Sequence, residues 1–478
     1  MAETHDGAPH VLVIPFPAQG HMLPLLDLAH LLARRGVAVT VAVSSGNLPL
    51  LSPLLSKSPS IQPLSLPLSH PSLPPGLENA KDMAPTYFGI LMLALASLHG
   101  PLLSWARAHP RPVCAVVSDI SVGWAQPLAA ELGVPGFVFS PSGVLGTAVI
   151  HSLFLRMPKR PEGEGEGEGE GEDYLVPFPS IPNSPSYPLP KLSRLFRSYK
   201  EGDPLSESVR RNFLWNLESH GFVANSLEAL EEAYLERPLD DLARKRVWAV
   251  GPLAAAAAEV GGAGAADDRG GPSSVPAAEV SAWLDRFPEG SVVYVCFGSL
   301  AVLTPAQAAA AAAALERSGA VFVWAARGGT EVPEGFDKRV GGRGLVLRGW
   351  APQVAILAHA AVGWFVTHCG WNSLVEAASA GVAMLTWPMT ADQHVNARLL
   401  VEEAGVALPA CDGGLAAVPD PHELARTLAE AVRGERGRAV RDRAKELGRK
   451  AVEAVREGGS SYIALEEFIQ ELHNLNTK

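Results

Sequence analysis

Cysteines, charged residues and long apolar runs are all scarce in this 478-residue chain. Its four cysteines lie far apart and form no CxxC pair, which argues against a structural zinc site and suits a reducing compartment. No run of about 18 apolar residues occurs, so we expect no membrane span. The first ten residues have no basic stretch followed by an apolar core, which predicts no secretory signal and a cytoplasmic location.

Charged residues make up only 19% of the chain, and the net charge of −11 is concentrated in one place. Seven acids lie between Glu162 and Asp173, and without them the net charge is −4. The alternating Glu-Gly segment at 160–173 has no large apolar side chains and repels itself, which predicts a disordered surface loop. The balance of charge argues against nucleic-acid binding.

Apolar residues are plentiful, at 47%, and the length exceeds what one ordinary core needs, so we predict two domains. We place the first at 1–250, an Ala-, Gly- and Ser-rich linker at 251–276, and the second at 277–460. Five consecutive alanines in the linker are flanked by glycines, which argues against a helix there. The C-terminal segment, 461–478, has an apolar helical face that we expect to pack on the first domain.

The chain begins with a pattern of strand, turn and helix. His10 to Phe16 is a short apolar run, a Pro-Ala-Gln-Gly break follows, and apolar residues recur at helical spacing from Met22 to Arg35. A second apolar run, Val37 to Val43, completes a βαβ unit on a parallel sheet. The Pro-, Ser- and Leu-rich segment from Leu48 to Pro75 predicts irregular loops.

His21 begins the first predicted helix. The N-terminus of a helix disfavours an imidazolium, so this ring would stay neutral and able to act as a general base. Asp119 ends another predicted strand and is a candidate to accept the Nδ1–H of His21, which would fix its tautomer. Simpler interpretations are that His21 satisfies a backbone group and that Asp119 caps the next helix. The sequence leaves open whether the two side chains meet.

The second domain contains a 44-residue stretch, Trp350 to Gln393, with the pattern of strand, small-residue turn and helix start. Such a turn directs free backbone N–H groups and the positive end of a helix dipole at one point, which suits a phosphate. His368, Asn372 and Ser373 add side-chain donors there. An ordinary capped helix start is the simpler alternative. Ser299 follows another predicted strand and is a further phosphate candidate.

Other side chains of this stretch suit a nucleotide sugar. Trp350 offers a surface on which a planar base stacks, and the amide of Gln353 can bind the edge of that base, although a lone Trp is usually part of a core. Glu376 suits ribose hydroxyls or is simply a first-turn acid. Asp392 and Gln393 suit vicinal sugar hydroxyls or cap the helix that follows.

The 44 residues closely resemble the signature box of the plant UDP-dependent glycosyltransferases (family 1). Outside the box, Gln19-Gly20-His21 is similar to the catalytic-His segment of that family, Asp119 falls where its activating Asp is expected, and Phe297-Gly298-Ser299 matches a donor-phosphate turn. The resemblance implies a GT-B fold, with two Rossmann-like parallel-sheet domains facing a cleft. The N-terminal domain would bind the acceptor and the C-terminal domain the UDP-sugar.

The resemblance implies that His21 and Asp119 are the catalytic residues. It implies a UDP-sugar site made of Ser299, Trp350, Ala351, Gln353, His368, Trp371, Asn372, Ser373, Glu376, Asp392 and Gln393. Within this set the uracil would lie on Trp350 and Gln353, and the sugar would face Trp371, Asp392 and Gln393. Trp364 stands where the family usually has Gly, and the Glu-Gly insert is atypical.

The implied reaction is a metal-independent, inverting transfer that gives a β-O-glycoside. Gln393 at the end of the box resembles glucose-using members, so UDP-glucose is the expected co-substrate, with no cofactor. The expected acceptor is a hydroxyl of a flavonoid or another phenolic, and the expected state is a monomer. UDP-rhamnose, UDP-xylose or a non-phenolic acceptor remain alternatives. A nucleotide-sugar-binding protein without turnover is the alternative from another class.

Overall fold

The structure, a computed structural model, describes residues 7–158, 174–261 and 273–477. The predicted Glu-Gly loop at 160–173 lies outside these residues. The chain forms two compact units. The N-terminal unit runs to Val260 and takes in the C-terminal segment from Ala454, and the C-terminal unit is Gly261–Glu453.

The N-terminal unit is built on a parallel sheet. In chain order its strands are β1 (His10–Ile14), β2 (Ala38–Ser44), β3 (Gln62–Leu66), β4 (Ala115–Asp119), β5 (Gly136–Ser140), β6 (Leu175–Pro177), β7 (Ser186–Pro188), β8 (Gly221–Ala224) and β9 (Arg246–Ala249). Seven of them form one sheet in the order β3-β2-β1-β4-β5-β8-β9, and β6 pairs with β7 separately. Strands β1, β4 and β5 are buried at every position, as the short apolar runs in the sequence predict.

Helices connect these strands. They are α1 (Gln19–Arg34), α2 (Ser52–Lys57), α3 (Phe88–Leu95), α4 (His99–Ala108), α5 (Ala125–Leu132), α6 (Val144–Arg156), α7 (Arg194–Arg197), α8 (Pro204–Asn216), α9 (Glu228–Leu235) and α10 (Leu253–Gly261). Helix α1 follows β1 directly, so the strand, turn and helix predicted at the start of the chain are confirmed.

The C-terminal unit has a second parallel sheet. Its strands are β10 (Val292–Cys296), β11 (Val321–Ala326), β12 (Gly344–Arg348), β13 (Val362–Thr367), β14 (Ala383–Thr386) and β15 (Ala407–Pro409), in the order β12-β11-β10-β13-β14-β15. Its helices are α11 (Ala277–Leu284), α12 (Pro305–Ser318), α13 (Phe336–Val340), α14 (Gln353–Ala358), α15 (Trp371–Ser379), α16 (Gln393–Arg398), α17 (Pro421–Arg433) and α18 (Glu435–Val455). Thr304 and Gln307 form a capping box at the start of α12, and Asp420 caps α17.

The last helix, α19 (Ser460–Asn476), belongs to the N-terminal unit. It buries Leu465, Phe468, Ile469 and Leu472 in the same apolar cluster as the central strands. The Phe468 ring lies edge-on to Phe137, with ring centroids 5.1 Å apart. The C-terminus therefore completes the core of the first unit, and burial of these four side chains stabilises it by roughly 1.5–3 kcal/mol each.

Two segments differ from the prediction. Part of the predicted linker at 251–276 is helix α10, because Ala has the highest helix propensity and the amide oxygen of Asn225 accepts the Leu253 N–H at 3.0 Å. The predicted loops from Leu48 to Pro75 contain α2 and β3. Strand β3 lies at the sheet edge, where Pro63 is tolerated, and its exposed residues form no apolar run.

One stretch of the N-terminal unit is long and apolar enough to cross a membrane. Phe88–Ala108 spans 21 residues with a mean hydropathy of 1.5, and 39% of its most apolar window is buried. It consists of α3, a short 3-10 turn and α4, and α3 packs on α8 near Gly89. Length and composition alone are weak evidence for a span, because core helices of soluble proteins meet the same criteria.

Candidate active site

His21 and Asp119 lie at the carboxyl ends of neighbouring strands. Strands β1 and β4 pair in parallel with Ile14 opposite Ser118, so the loop after β1 and the end of β4 share one edge of the sheet. His21 is the third residue of α1, and its backbone N–H donates to Ala18 at 2.9 Å. The sequence left open whether His21 and Asp119 meet. The parallel pairing of β1 and β4 brings the two side chains together.

The imidazole of His21 is held by a buried carboxylate. Its Nδ1 lies 3.0 Å from both oxygens of Asp119, and the Asp119 side chain has no exposed surface. One of these oxygens also accepts the backbone N–H of Ser121 at 2.8 Å. Because a carboxylate only accepts, Nδ1 carries the proton and Nε2 is left with its lone pair, which is the tautomer that a general base needs.

The ring of His21 is partly accessible, with 24% of its side chain exposed. The rings of Phe16 and Phe88 lie beside it, at centroid distances of 5.3 and 5.9 Å. The next residue along the helix, Met22, lines a small, mainly apolar pocket together with Trp124 and residues at the ends of β1 and β2. The surroundings of the imidazole therefore favour aromatic or aliphatic groups.

Asp119 does not cap the next helix, which was the simpler interpretation of this residue. Helix α5 begins at Ala125, six residues further on. The loop between them is held from α8, where the amides of Asn212 and Asn216 donate to the Ile120 carbonyl at 3.0 and 2.8 Å. These two bonds hold the loop at Ile120, directly after Asp119, which restricts the orientation of the Asp119 carboxylate.

In the C-terminal unit, the candidate donor residues also follow adjacent strands. Thr367 at the end of β13 lies opposite Cys296 of β10 and opposite Thr386 of β14. The turns that contain Ser299 and His368, and the loop before Gln393, therefore share one edge of this sheet. Ligands of open parallel sheets bind beyond this edge.

His368 is wedged between two glycines. A Cβ added to Gly298 would lie 2.5 Å from its Nε2, and one added to Gly370 would lie 2.3 Å from the same atom. Its Nδ1 is buried without a hydrogen-bond partner in the part of the chain that the structure describes. Burial lowers the pKa of His368 to about 4, so the ring is a neutral donor at pH 7.

Helix α15 begins beside this ring. Gly370 is its N-cap, with φ −65° and no side-chain cap, and Trp371, Asn372 and Ser373 form its first turn. Trp371 is buried, Asn372 is half-buried and Ser373 is buried. The N–H groups at this end and the helix dipole make a site for an anion.

A hydrogen-bonded cluster lies one turn further along α15. The amide Nε2 of Gln353 donates to Ser373 at 3.0 Å and to Glu376 at 2.8 Å, and its Oε1 accepts from the Tyr294 hydroxyl at 3.4 Å. The structure thus brings the predicted base-, phosphate- and ribose-binding residues together. Tyr294 is an additional member that sequence analysis missed, since a Tyr in an apolar strand gives no signal beyond burial.

Trp350 follows β12 and is only half-buried, so it is not a core tryptophan. Its carbonyl accepts the backbone N–H of Ser274 at 2.8 Å and the Ser274 hydroxyl at 2.9 Å, which anchors the loop. Ala351 beside it is buried, and Ser299 is half-buried after β10. The indole is therefore available for stacking.

The loop after β14 ends at Asp392 and Gln393. Asp392 occupies the N-cap position of α16 but its side chain makes no cap bond, which removes that simpler interpretation. Its Oδ2 accepts from the amide of Asn396 at 3.0 Å. The Oε1 of Gln393 accepts the N–H groups of Met389 and Thr390, both at 2.9 Å, so its NH₂ group remains as a donor.

Comparisons with known proteins agree with this geometry. A family profile described as "UDP-glucoronosyl and UDP-glucosyl transferase" matches residues 261–411. The chain is 47% identical to flavonol 3-O-glucosyltransferase UGT89B1 of Arabidopsis thaliana, over 98% of this chain and 96% of that protein. It is 46% identical to UDP-glycosyltransferase 89B2 of Stevia rebaudiana, over 97% of each. The chain belongs to the UDP-glycosyltransferase family.

A solved structure supports the fold of this glycosyltransferase. Arabidopsis thaliana UGT89C1 complexed with UDP-L-rhamnose matches it with a TM-score of 0.78 and 35% identity, over 98% of this chain and 99% of that chain. The protein therefore has the GT-B fold that the sequence predicted, and it is an enzyme. Among the described residues, no group of three His, Cys, Asp or Glu is placed to hold a metal ion.

Proposed function

We propose that this enzyme transfers glucose from UDP-glucose to a phenolic hydroxyl of a small plant metabolite and forms a β-O-glycoside. The contact between His21 and Asp119 carries the proposal. A partly exposed imidazole whose other nitrogen is held by a buried carboxylate is the arrangement that general-base chemistry needs. A protein that only binds nucleotide sugars has no use for it.

In the proposed reaction, Nε2 of His21 accepts the proton of the acceptor while Nδ1 stays bound to Asp119. The acceptor hydroxyl gives its proton to Nε2 while its oxygen forms a bond to the anomeric carbon of glucose. The bond between that carbon and the diphosphate oxygen breaks, and UDP leaves with the electron pair. Attack from the face opposite UDP inverts the configuration. A phenol pKa near 10 lies roughly three to four units above that of a histidine, so proton transfer is concerted with attack.

Asp119 acts through His21 in this scheme. Its buried negative charge stabilises the imidazolium that forms during the reaction, and its position on Nδ1 keeps Nε2 unprotonated before it. The carboxylate is not itself protonated. We assign it the role of a positioning and charge-stabilising residue.

We assign the UDP moiety to the C-terminal unit. The uracil would stack on Trp350, the ribose would bind Glu376, and the diphosphate would lie at the N-terminus of α15 beside His368 and Ser299. The donors there are backbone N–H groups and neutral side chains, so the leaving group is stabilised by a helix dipole and hydrogen bonds. We propose that the reaction requires no metal ion.

The relatives support glucose and a phenolic, with one alternative donor. UGT89B1 is named a flavonol 3-O-glucosyltransferase, at 47% identity. The solved structure of UGT89C1 contains UDP-L-rhamnose, at 35% identity, which favours rhamnose as the second candidate. We further propose a cytoplasmic location, which the unpaired state of Cys114, Cys296, Cys369 and Cys411 supports.

One experiment tests the proposal. The purified enzyme is incubated with UDP-glucose, UDP-rhamnose, UDP-xylose or UDP-galactose, each crossed with flavonoid, benzoate and terpenoid acceptors, and products are identified by mass. We expect the largest conversion with UDP-glucose and a flavonoid, and nuclear magnetic resonance of the product should show a β linkage. Binding of UDP-glucose without transfer to any acceptor would support the non-catalytic alternative and overturn the proposal.

A further inference from the structure

A single buried amide connects the two loops that we assign to the sugar donor. Asn396 lies on α16, one turn after Asp392, and is only 1% exposed. Its Nδ2 donates to the carbonyl of Cys369 at 3.0 Å and to Oδ2 of Asp392 at 3.0 Å. The first partner belongs to the turn after β13 and the second to the loop after β14.

The orientation of this amide is fixed by its partners. Both are acceptors, so the NH₂ group must face them, and each of its hydrogens serves one. The carbonyl oxygen Oδ1 is buried and has no hydrogen-bond partner among the described residues. An unpaired buried acceptor disfavours folding. An Asn at this position therefore carries a cost in stability, which points to a role for its two donor bonds.

The bond to Cys369 acts on the proposed phosphate site. Cys369 has φ +63°, a conformation that a non-glycine residue rarely adopts and that neighbouring contacts must hold. Its carbonyl shares a planar peptide unit with the N–H of Gly370, so anchoring the oxygen also sets the direction of that N–H. Gly370 is the N-cap of α15, so this peptide lies at the helix end that we assign to the diphosphate.

The bond to Asp392 acts on the proposed sugar site. Held at Oδ2, the carboxylate has a fixed plane, and hydroxyl recognition by a carboxylate depends on that plane. Asn396 also donates its backbone N–H to the Asp392 carbonyl at 2.9 Å, which keeps the two residues one helical turn apart.

We propose that Asn396 is a positioning residue that holds the phosphate turn and the sugar-binding carboxylate in register, and that it thereby sets the selectivity for the sugar of the donor. This inference rests on the proposed donor site. Asn396 itself touches neither the diphosphate nor the sugar. It acts through the Cys369–Gly370 peptide and through Asp392.

The first test replaces the amide. Asn396→Asp keeps the shape but places a carboxylate against two acceptors, and Asn396→Ala removes both bonds without adding charge. Each variant is assayed at a temperature at which circular dichroism shows it to be folded. We expect the kcat of Asn396→Asp to fall about 10²-fold, as a small misplacement of bound substrate does. The ratio of kcat/KM for UDP-glucose over UDP-galactose should fall about tenfold in both variants.

The second test separates positioning from general stability. Added to Asp392→Ala, the change Asn396→Ala should not lower the kcat/KM ratio of UDP-glucose over UDP-galactose further, because the partner through which it acts on the sugar is already absent. Arg398→Gln is the matched control on the same helix: Arg398 makes an exposed ion pair with Glu402, and its loss should leave the ratio unchanged. The inference is overturned if both Asn396 variants keep the kcat/KM ratio of UDP-glucose over UDP-galactose. It is also overturned if the losses in this ratio add fully to those of Asp392→Ala.

These outcomes are distinct from failure of the proposed function. If the wild-type enzyme transfers no sugar, the proposed function fails. If it transfers sugar and the Asn396 variants keep its donor ratio, only the inference about Asn396 fails.

Discussion

Two histidines, one in each unit, follow a central strand at or before the first turn of a helix and differ in the residues that hold them. His21 and His368 each lie just after a central parallel strand, close to the start of a helix. The Nδ1 of His21 meets a buried carboxylate at 3.0 Å, whereas the Nδ1 of His368 is buried and has no hydrogen-bond partner among the residues that the structure describes. The first ring can take up a proton and have its charge stabilised. The second ring cannot, because burial holds its pKa at about 4.

The difference shows that the neighbours of a histidine decide its chemistry. The pairing of β1 and β4 in the N-terminal unit brings Asp119 beside His21, whereas two glycines lie beside His368 in the C-terminal unit. One ring thus gains a charge partner and the other a close steric fit. We therefore assign proton transfer to His21 and donor binding to His368. Replacing each ring, or the residues that hold it, tests this division.

The largest effect is expected from His21→Ala. Removing the base leaves the acceptor hydroxyl protonated, and kcat should fall about 10²–10⁴-fold with a flavonoid acceptor. The affinity for UDP-glucose, measured by calorimetry, should stay within about threefold of wild type. Steady-state kinetics with a series of phenols adds a sharper criterion: the loss should shrink as the phenol becomes more acidic, because less proton transfer is then needed.

The control for this change is His220→Ala. His220 is a surface histidine of the same unit, paired with Glu471 at 3.0 Å, and its replacement should leave kcat unchanged. Full activity of His21→Ala on every acceptor would show that His21 is not the general base.

Asp119→Asn should have the next largest effect, with kcat about 10²-fold lower, near the lower end of the range for loss of a general base. One oxygen becomes an NH₂ group, and since both oxygens lie 3.0 Å from Nδ1, that group would face the Nδ1–H and favour the wrong tautomer. Kinetics of the double variant with His21→Ala gives the decisive result. It should be no slower than His21→Ala alone, because Asp119 acts only through the ring. Fully additive losses would contradict this.

Much of this comparison could be predicted from the sequence. The apolar runs and the turns that follow them indicated the strands and helices near both histidines, and the spacing from Trp350 to Gln393 indicated the donor residues. What sequence could not provide was the contact between His21 and Asp119, which are 98 residues apart and meet only because β1 and β4 are neighbours in the sheet.

Other features depended on packing that no local pattern reveals. Tyr294 and Asn396 contact the donor residues from a buried strand and a buried helix face, where their types are ordinary. Strand β3 has exposed residues and a proline, so the periodicity of its apolar residues does not predict a strand at the sheet edge. In each case the missing information was the identity of a neighbour distant in sequence.

Gly370→Ala is expected to have an intermediate effect on the donor side. The added methyl group would lie 2.3 Å from Nε2 of His368, and because Gly370 has φ −65° the change introduces no backbone strain of its own. Overpacking of about 1–3 kcal/mol would displace the ring and raise the KM for UDP-glucose roughly 5- to 150-fold. The kcat, measured at saturating UDP-glucose, should change less than this KM.

The matched control is Gly100→Ala in α4, where an added Cβ would meet no atom of the described residues within 4 Å. Its KM should equal that of wild type. An unchanged KM for Gly370→Ala would show that the fit of His368 between the glycines does not matter for the donor.

The smallest effect should appear in the pH dependence of donor binding. With a pKa of about 4, His368 is about 1% protonated at pH 6 and still less at pH 8, so the dissociation constant of UDP-glucose should be nearly constant over this range. The rate should instead fall on acidification, because His21 must be neutral to accept a proton. Calorimetry and steady-state kinetics at matched pH values measure the two quantities. A marked gain in affinity on lowering the pH from 8 to 6 would mean that His368 is charged in the complex.

The same lowered pKa has a consequence for folding, with the sign opposite to that of a salt-bridged histidine. In the unfolded chain a histidine titrates near 6.5, so between about pH 6.5 and pH 4 the unfolded state binds a proton that folded His368 does not. The contribution of His368 to stability is therefore complete above pH 6.5 and is lost as the pH falls towards 4. Urea unfolding at pH 7 and pH 5 should show a smaller loss of stability in His368→Gln than in wild type. An equal loss in both proteins would show that burial of the ring does not perturb its titration. The contrast between His21, which takes up a proton, and His368, which stays neutral, would then be wrong.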